Sequence, residues 1–388
     1  MVWIHGGAFL FGSSIDGSYD GRALVGFNDV VFASINYRLA AFGFLATGDP
    51  ELRGNYGLWD QSEALKWIKE NIAAFGGDPD RITIFGQSAG GASVGHQLIG
   101  QPSWEYFNRA MPISAINSGT QQEGFRAYPE QIPRRNPYSD YDKFVDRIER
   151  FTYVDKTAVT VNAIEQQYID WQLADNPSTN YFYNYMDLMT DEAFHCPAEH
   201  TARTYALNGN KVYRYYFNHM PARSIWPSVP SWWGIAHAED IPFFFGWAFS
   251  DTFNWFQTAE EKTLALDMMR YFTNFAKTGY CGRKWWSVIL TWRDNDGQEG
   301  GESDWPEFTV PGLISKEFKP NLPDIQGLRS DYCQLWNGFL VDLGEYTDTI
   351  SDAELAWREE FSRWKNEDLP EWRTSFNDYV DNPETCDP

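Results

Sequence analysis

The chain has 388 residues, 43% of them hydrophobic and 17% aromatic, enough to bury a large core in one long domain or two short ones. Acidic residues outnumber basic ones 54 to 31, for a formal net charge of -23, which disfavours nucleic acid and anionic membrane surfaces as partners. No uninterrupted apolar run reaches the roughly 18 residues that a membrane span needs. Met1 is followed at once by Val2-Trp3-Ile4 without a basic leader, so neither a transmembrane segment nor a signal peptide is read. The charge excess serves first for solubility, and it would also concentrate a cationic substrate near a cleft.

Residues 1–115 alternate strand and helix signals, which predicts βαβ units and a mainly parallel sheet flanked by helices, an α/β class. Met1 to Ile4 and Val30 to Ile35 read as buried strands. A helix is predicted from about Asp60, with Asp60 and Glu63 at capping-box spacing and Gly76-Gly77 at its end. Arg81 to Phe85 is a short β-branched strand that runs into Gly86-Gln87-Ser88-Ala89-Gly90-Gly91. Residues 116–145 read as mostly loop. Val212 to Phe217 is a strand candidate, and Thr258 to Lys277 a helix with Thr258 and Glu261 as its capping box. Residues 281–330 read as loop, and Ser351 to Tyr379 as a charged, tryptophan-bearing amphipathic helix.

Gly86-Gln87-Ser88-Ala89-Gly90 is a GxSxG elbow between a strand and a helix, the setting that a nucleophilic serine requires. The turn strains the serine backbone, and side chains two residues to either side would collide with neighbouring elements. The helix N-terminus adds backbone N–H groups and a positive dipole end beside the hydroxyl. His5-Gly6-Gly7-Ala8-Phe9 follows the first strand and matches a glycine-rich oxyanion loop, which makes the amides of Gly7, Ala8 and Ala89 the candidate donors.

In this fold the order is serine, acid, histidine, so His5 and His96 are excluded as the base. His195 and His200 flank a cysteine, and their spacing suits neither a zinc face nor an HExxH motif. No metal or other cofactor is expected. His219 lies at a strand end. His237 sits in a loop ahead of Pro242-Phe243-Phe244-Phe245, the best place for a positioned imidazole. Among many acids between Ser88 and His237, Glu123, on a loop beside Gly124, is the candidate to hold the imidazole tautomer. Cys196, Cys281, Cys333 and Cys386 allow three disulfide pairings that sequence alone does not separate.

These residues resemble the type-B carboxylesterase and cholinesterase family along most of the chain. Trp3 to Phe9, Asn36-Tyr37-Arg38, Gly54-Asn55-Tyr56-Gly57, Phe75-Gly76-Gly77-Asp78-Pro79 and the elbow look like its landmarks, and Glu123-Gly124 like its acid motif. The resemblance implies an α/β-hydrolase fold over residues 1–346, incomplete relative to the family, and a tetramerisation tail over 347–388. In that tail Trp357 and Trp364 are one heptad apart, facing a proline-rich anchoring partner, while Trp372 comes eight residues later, as after a one-residue insertion. It resembles most the acetylcholinesterase branch. By resemblance Cys196 pairs with Cys333 and Cys386 links chains, which leaves Cys281 unassigned.

The departures are equally specific. By resemblance the chain starts at a strand deep inside the family's domain, so the N-terminal strands of the family are expected to be missing, and the short interval from Ser88 to Glu123 predicts an internal deletion near residues 115–120. Gln87 stands where cholinesterases usually carry glutamate, and Ala8 where they usually carry glycine. The resemblance implies hydrolysis of choline esters such as acetylcholine through an acyl-enzyme, by a secreted, extracellular oligomer (dimer or tetramer), synaptic and held at the cell surface through its partner. The alternatives are a general carboxylesterase, one resembling bile-salt-activated lipase, and a truncated chain that has lost activity. A non-catalytic adhesion scaffold like the neuroligins ranks last, because all three triad residues are present.

Overall fold

The computed structural model describes residues 1–114, 138–151, 157–174, 176–226, 234–250, 258–281, 305–348 and 352–381. The chain divides into two compact units, Met1–Asn337 and Gly338–Pro388.

The first unit is built on β1 (Val2–Ile4), β2 (Ala33–Ile35), β3 (Thr83–Gln87) and β4 (Arg109–Ile113), which form a parallel sheet in the order β2-β1-β3-β4. A buried parallel sheet needs apolar residues on both faces. β1 and β3 supply them by the two-residue alternation of a strand. Trp3 and Phe85 enter one core with Phe244, Phe245, Met268 and Phe272. Val2, Ile4 and Ile84 enter the other, with Leu65, Ile68 and Val94. Phe272 lies on the helix Ala259–Thr278, Leu65 on the helix Tyr56–Asn71 and Val94 on the helix Ala89–Ile99, so helices cover both faces. This is the layering of an α/β-hydrolase.

Several boundaries differ from the sequence reading. The Val30 to Ile35 strand shortens to β2, an edge strand in which only Ile35 is buried. The helix expected from Asp60 begins at Tyr56, after Asn55 in a left-handed conformation, so Asp60 is no cap. Its carboxylate instead pairs with the Arg38 guanidinium at 2.7 Å and accepts the Arg38 backbone N–H. The α-helix ends at Asn71, and a 3-10 turn over Ile72–Phe75 carries the chain to Gly76. Thr258 does cap its helix, accepting the N–H of Glu261 at 3.1 Å. Part of the segment read as loop before residue 145 is helical, because Tyr141–Phe151 is a helix.

β5 (Tyr215–Phe217), β6 (Ile314–Phe318) and β7 (Asp324–Gln326) make a second sheet, with β5 and β6 parallel and β7 antiparallel. β6 and β7 fall in the stretch read as loop. Ser315 and Lys316 are fully buried there, and polar residues on a strand hide its alternation. Cys196 and Cys333 form a disulfide spanning 137 residues, and Cys281 is a buried free thiol. Cys386 lies outside the described residues.

The second unit carries the helix Asp352–Arg363, a π-turn over Trp364–Asp368 and the helix Leu369–Asp381, without a break between them. No helix among the described residues is long and apolar enough to cross a membrane.

Candidate active site

The register of the central strands sets the site. Ile4 of β1 pairs with Gly86 of β3, so the residues that follow each strand emerge side by side at the carboxyl end of the sheet. A β-carbon on Gly6 would stand 2.6 Å from the Gln87 carbonyl oxygen and 3.1 Å from the Ser88 β-carbon. Ser88 has φ 58 and ψ -127, a conformation that a non-glycine residue adopts only when its surroundings enforce it. Its backbone N–H donates to the Ile113 carbonyl at 3.0 Å and its carbonyl accepts from Ala92, which fixes the elbow at both ends. The glycines on either side have no room for a side chain. A β-carbon on Gly86 would meet the Ile4 oxygen at 2.5 Å, and one on Gly90 at 2.0 Å.

The loop after β1 passes through three successive positive φ angles, at Gly7, Ala8 and Phe9. That conformation turns neighbouring N–H groups to one side, as in an anion-binding nest. The Gly7 carbonyl accepts from Leu10 and Phe11, while the N–H groups of Gly7, Ala8 and Ala89 have no hydrogen-bond acceptor among the described residues. All three residues line the same cavity as Ser88. His5 is buried beneath, stacked on Tyr37 at 4.6 Å, whose hydroxyl donates to the His5 carbonyl.

His237 lines this cavity as well. It is held from behind by the Trp226 indole N–H, which donates to its carbonyl at 2.7 Å, and from the side by the Phe194 ring at 5.3 Å. Burial pushes its imidazole down to about 4. Its Nε2 lies 3.0 Å from the side-chain amide of Gln87, the residue before the serine. Ser88 Oγ makes no hydrogen bond among the described residues. Glu123 lies outside the described residues. His219 is engaged with Glu261 at 3.3 Å, and His195 packs on Tyr216 at 5.3 Å.

Two features were not read from sequence. One is the Gln87–His237 contact, which joins residues far apart in the chain. The other is Asp240, buried three residues after His237, which accepts from the Ser114 hydroxyl at 3.1 Å and the Tyr215 hydroxyl at 3.2 Å. Burial raises its carboxyl, and the two hydroxyls oppose that rise. The Ala-Glu-Asp run after His237 was the available signal, but nothing in a sequence says which carboxylate turns inward.

The cavity has a volume of about 1910 Å³, with aromatic walls that include Phe11, Tyr183, Phe194, Tyr213 and Trp247. In the tail, Trp357 stacks on Phe361 at 5.4 Å, Phe361 contacts Trp364 at 5.8 Å, and Trp372 stacks on Phe376 at 5.3 Å. All five are exposed. The Leu369 N–H bonds to the Trp364 carbonyl five residues back, so the wide turn takes up one extra residue. The eight residues from Trp364 to Trp372 therefore make about the two turns that seven make in a regular helix. Pro370 accounts for the turn, because it has no N–H for the Asn366 carbonyl and its ring crowds that oxygen.

Comparison with known proteins decides the family. The family described as "Carboxylesterase family" matches residues 1–138 and 113–336, and "Acetylcholinesterase tetramerisation domain" matches residues 351–386. The chain belongs to the carboxylesterase family. It is 30% identical to an acetylcholinesterase of Bungarus fasciatus over 478 residues, covering 98% of this chain and 75% of the relative. It is 30% identical to one of Electrophorus electricus over 509 residues (98% and 77%) and 26% identical to acetylcholinesterase 1 of Caenorhabditis elegans over 502 residues (98% and 77%). Each aligned span exceeds 388 residues, so these relatives carry internal residues without a counterpart here. As a carboxylesterase the chain is a serine carboxylic-ester hydrolase, and its tail carries an assembly domain.

Proposed function

We propose that this carboxylesterase cleaves choline esters, acetylcholine among them, with Ser88 as nucleophile. The observation that carries the reading is the gathering of Ser88, three unengaged N–H groups and His237 around one aromatic-walled cavity. Ser88 Oγ attacks the ester carbonyl while His237 Nε2 takes its proton. The N–H groups of Gly7, Ala8 and Ala89 hold the oxyanion. Collapse expels the alcohol, to which His237 returns the proton, and water then releases the acid by the same steps. Glu123 orients the imidazole through Nδ1. Aromatic faces suit a quaternary ammonium group, and the names of the relatives and the tail point to the same class.

A second reading, a general carboxylesterase, is favoured by the uncharged Gln87 beside His237 and by a cavity far larger than a choline ester fills. Hydrolysis of acetylthiocholine beside a neutral aryl acetate separates the two. A higher kcat/KM for the thiocholine ester supports the first, preference for the aryl ester supports the second, and no turnover of either indicates a truncated, inactive member.

The assembly reading is that the tail helix joins copies of this chain, as dimer or tetramer, through the face bearing Trp357, Trp364 and Trp372, with a proline-rich segment docked on the same face and Cys386 linking chains. Residues 1–346 then form the catalytic domain, with the internal deletion near 115–120, and 347–388 the tail. The Cys196–Cys333 disulfide fits an oxidising, extracellular setting, including a synaptic one.

A further inference from the structure

A general base must present the Nε2 lone pair to the serine hydroxyl while Nδ1–H is held by the acid. In this structure that lone pair is not open. The carboxamide of Gln87 lies 3.0 Å from His237 Nε2, and its other end sits beneath Gly6, 3.4 Å from where a β-carbon would be. Whichever way the amide is turned, Nε2 is taken. If the amide nitrogen faces the ring, its N–H donates into the lone pair that should accept the Ser88 proton. If the amide oxygen faces the ring, the imidazole carries its proton on Nε2, the wrong nitrogen for a base. Gln87 is 4% exposed and is the last residue of β3, paired with Ile113, so only its side chain is free to turn.

We propose that Gln87 is a positioning residue that holds the His237 ring in a resting arrangement, engaged at Nε2 and withheld from Ser88 until a substrate carbonyl draws the serine hydroxyl in. The inference rests on the reading of Ser88 and His237 as nucleophile and base. Glutamate at this place would engage Nε2 as well, but as an acceptor only, favouring a proton on that nitrogen and the imidazolium. Among the described residues burial alone depresses the His237 imidazole, and no charged group offsets it. The amide therefore meets a neutral ring.

The test is the rate at which an uncharged organophosphate labels Ser88 in the full chain, compared with Gln87→Met, which keeps the length and loses both hydrogen-bonding ends. Methionine should raise the rate about two- to tenfold, the value of one neutral hydrogen bond. Gln87→Leu, a second variant with neither hydrogen-bonding end, should also label faster at neutral pH. A contact that merely satisfies a buried amide would move neither. Nitrogen NMR of histidine-labelled protein gives an independent readout, with His237 assigned by its loss in His237→Gln, and the Nε2 resonance should shift in Gln87→Met. Rates no higher than the parent in both variants overturn the proposal. If the parent itself is not labelled and matches Ser88→Ala, the catalytic reading has failed instead. The resonance then decides, a shift in Gln87→Met supporting the held ring and an unmoved signal overturning it.

Discussion

The Gly90 α-carbon lies directly against the Ile4 carbonyl, so a β-carbon there would stand 2.0 Å from that oxygen. Neither side has slack. Ile4 is the last residue of the central strand β1, bonded to β2 on one side and β3 on the other, and Gly90 is the second residue of the helix behind Ser88. Gly90→Ala should therefore destabilise the first unit by about 3 kcal/mol and lower turnover through displacement of the elbow. A denaturant titration beside an active-site count checks both, and a variant with unchanged midpoint would contradict the packing described.

Glu123→Gln keeps the size of the side chain and removes the charge that would hold Nδ1–H. If Glu123 is the acid, kcat should fall about 10⁴-fold with KM little changed. A loss below tenfold would move the role to another carboxylate.

Stability should depend on pH through His195. Burial, with Arg214 and Arg329 nearby, pushes its imidazole down to about 4 from an ordinary 6.5. Between those values the unfolded chain takes up a proton that the folded chain declines. Stability should thus be fully present above pH 6.5, fall as the pH drops towards 4, and level off below. His195→Gln should flatten that part of the profile in urea midpoints measured from pH 7 to 4, and an unchanged slope would place the effect elsewhere.

In the tail, the wide turn compensates for the eight-residue spacing of Trp364 and Trp372. Deleting Asn366 together with Pro370→Ala restores the heptad in a plain helix and should leave assembly intact by sedimentation. Inserting one alanine between Glu359 and Glu360 rotates Trp357 by about 100° from the others and should abolish it. Equal assembly in both would show that the aromatic face is not what joins the chains.

Much of this was legible where local chemistry decides structure. The GxSxG run, the Gly6-Gly7 loop and the Thr258 cap carry their geometry in their residue types. What was hidden depended on contacts distant in sequence. Asp60 has capping-box spacing but is bound to Arg38, and β6 carries buried polar residues that break the alternation of a strand. The Gln87–His237 contact joins residues 150 apart and leaves no local trace. The Cys196–Cys333 pair was implied by family resemblance and not by spacing.

The most direct measurement is mass spectrometry of the intact chain after reaction with a fluorophosphonate, with the modified peptide sequenced. The account predicts one adduct, on Ser88, formed far more slowly in His237→Gln, together with about a million-fold loss of turnover in Ser88→Ala. No adduct, an adduct on another serine, or a Ser88→Ala chain that retains turnover would contradict it.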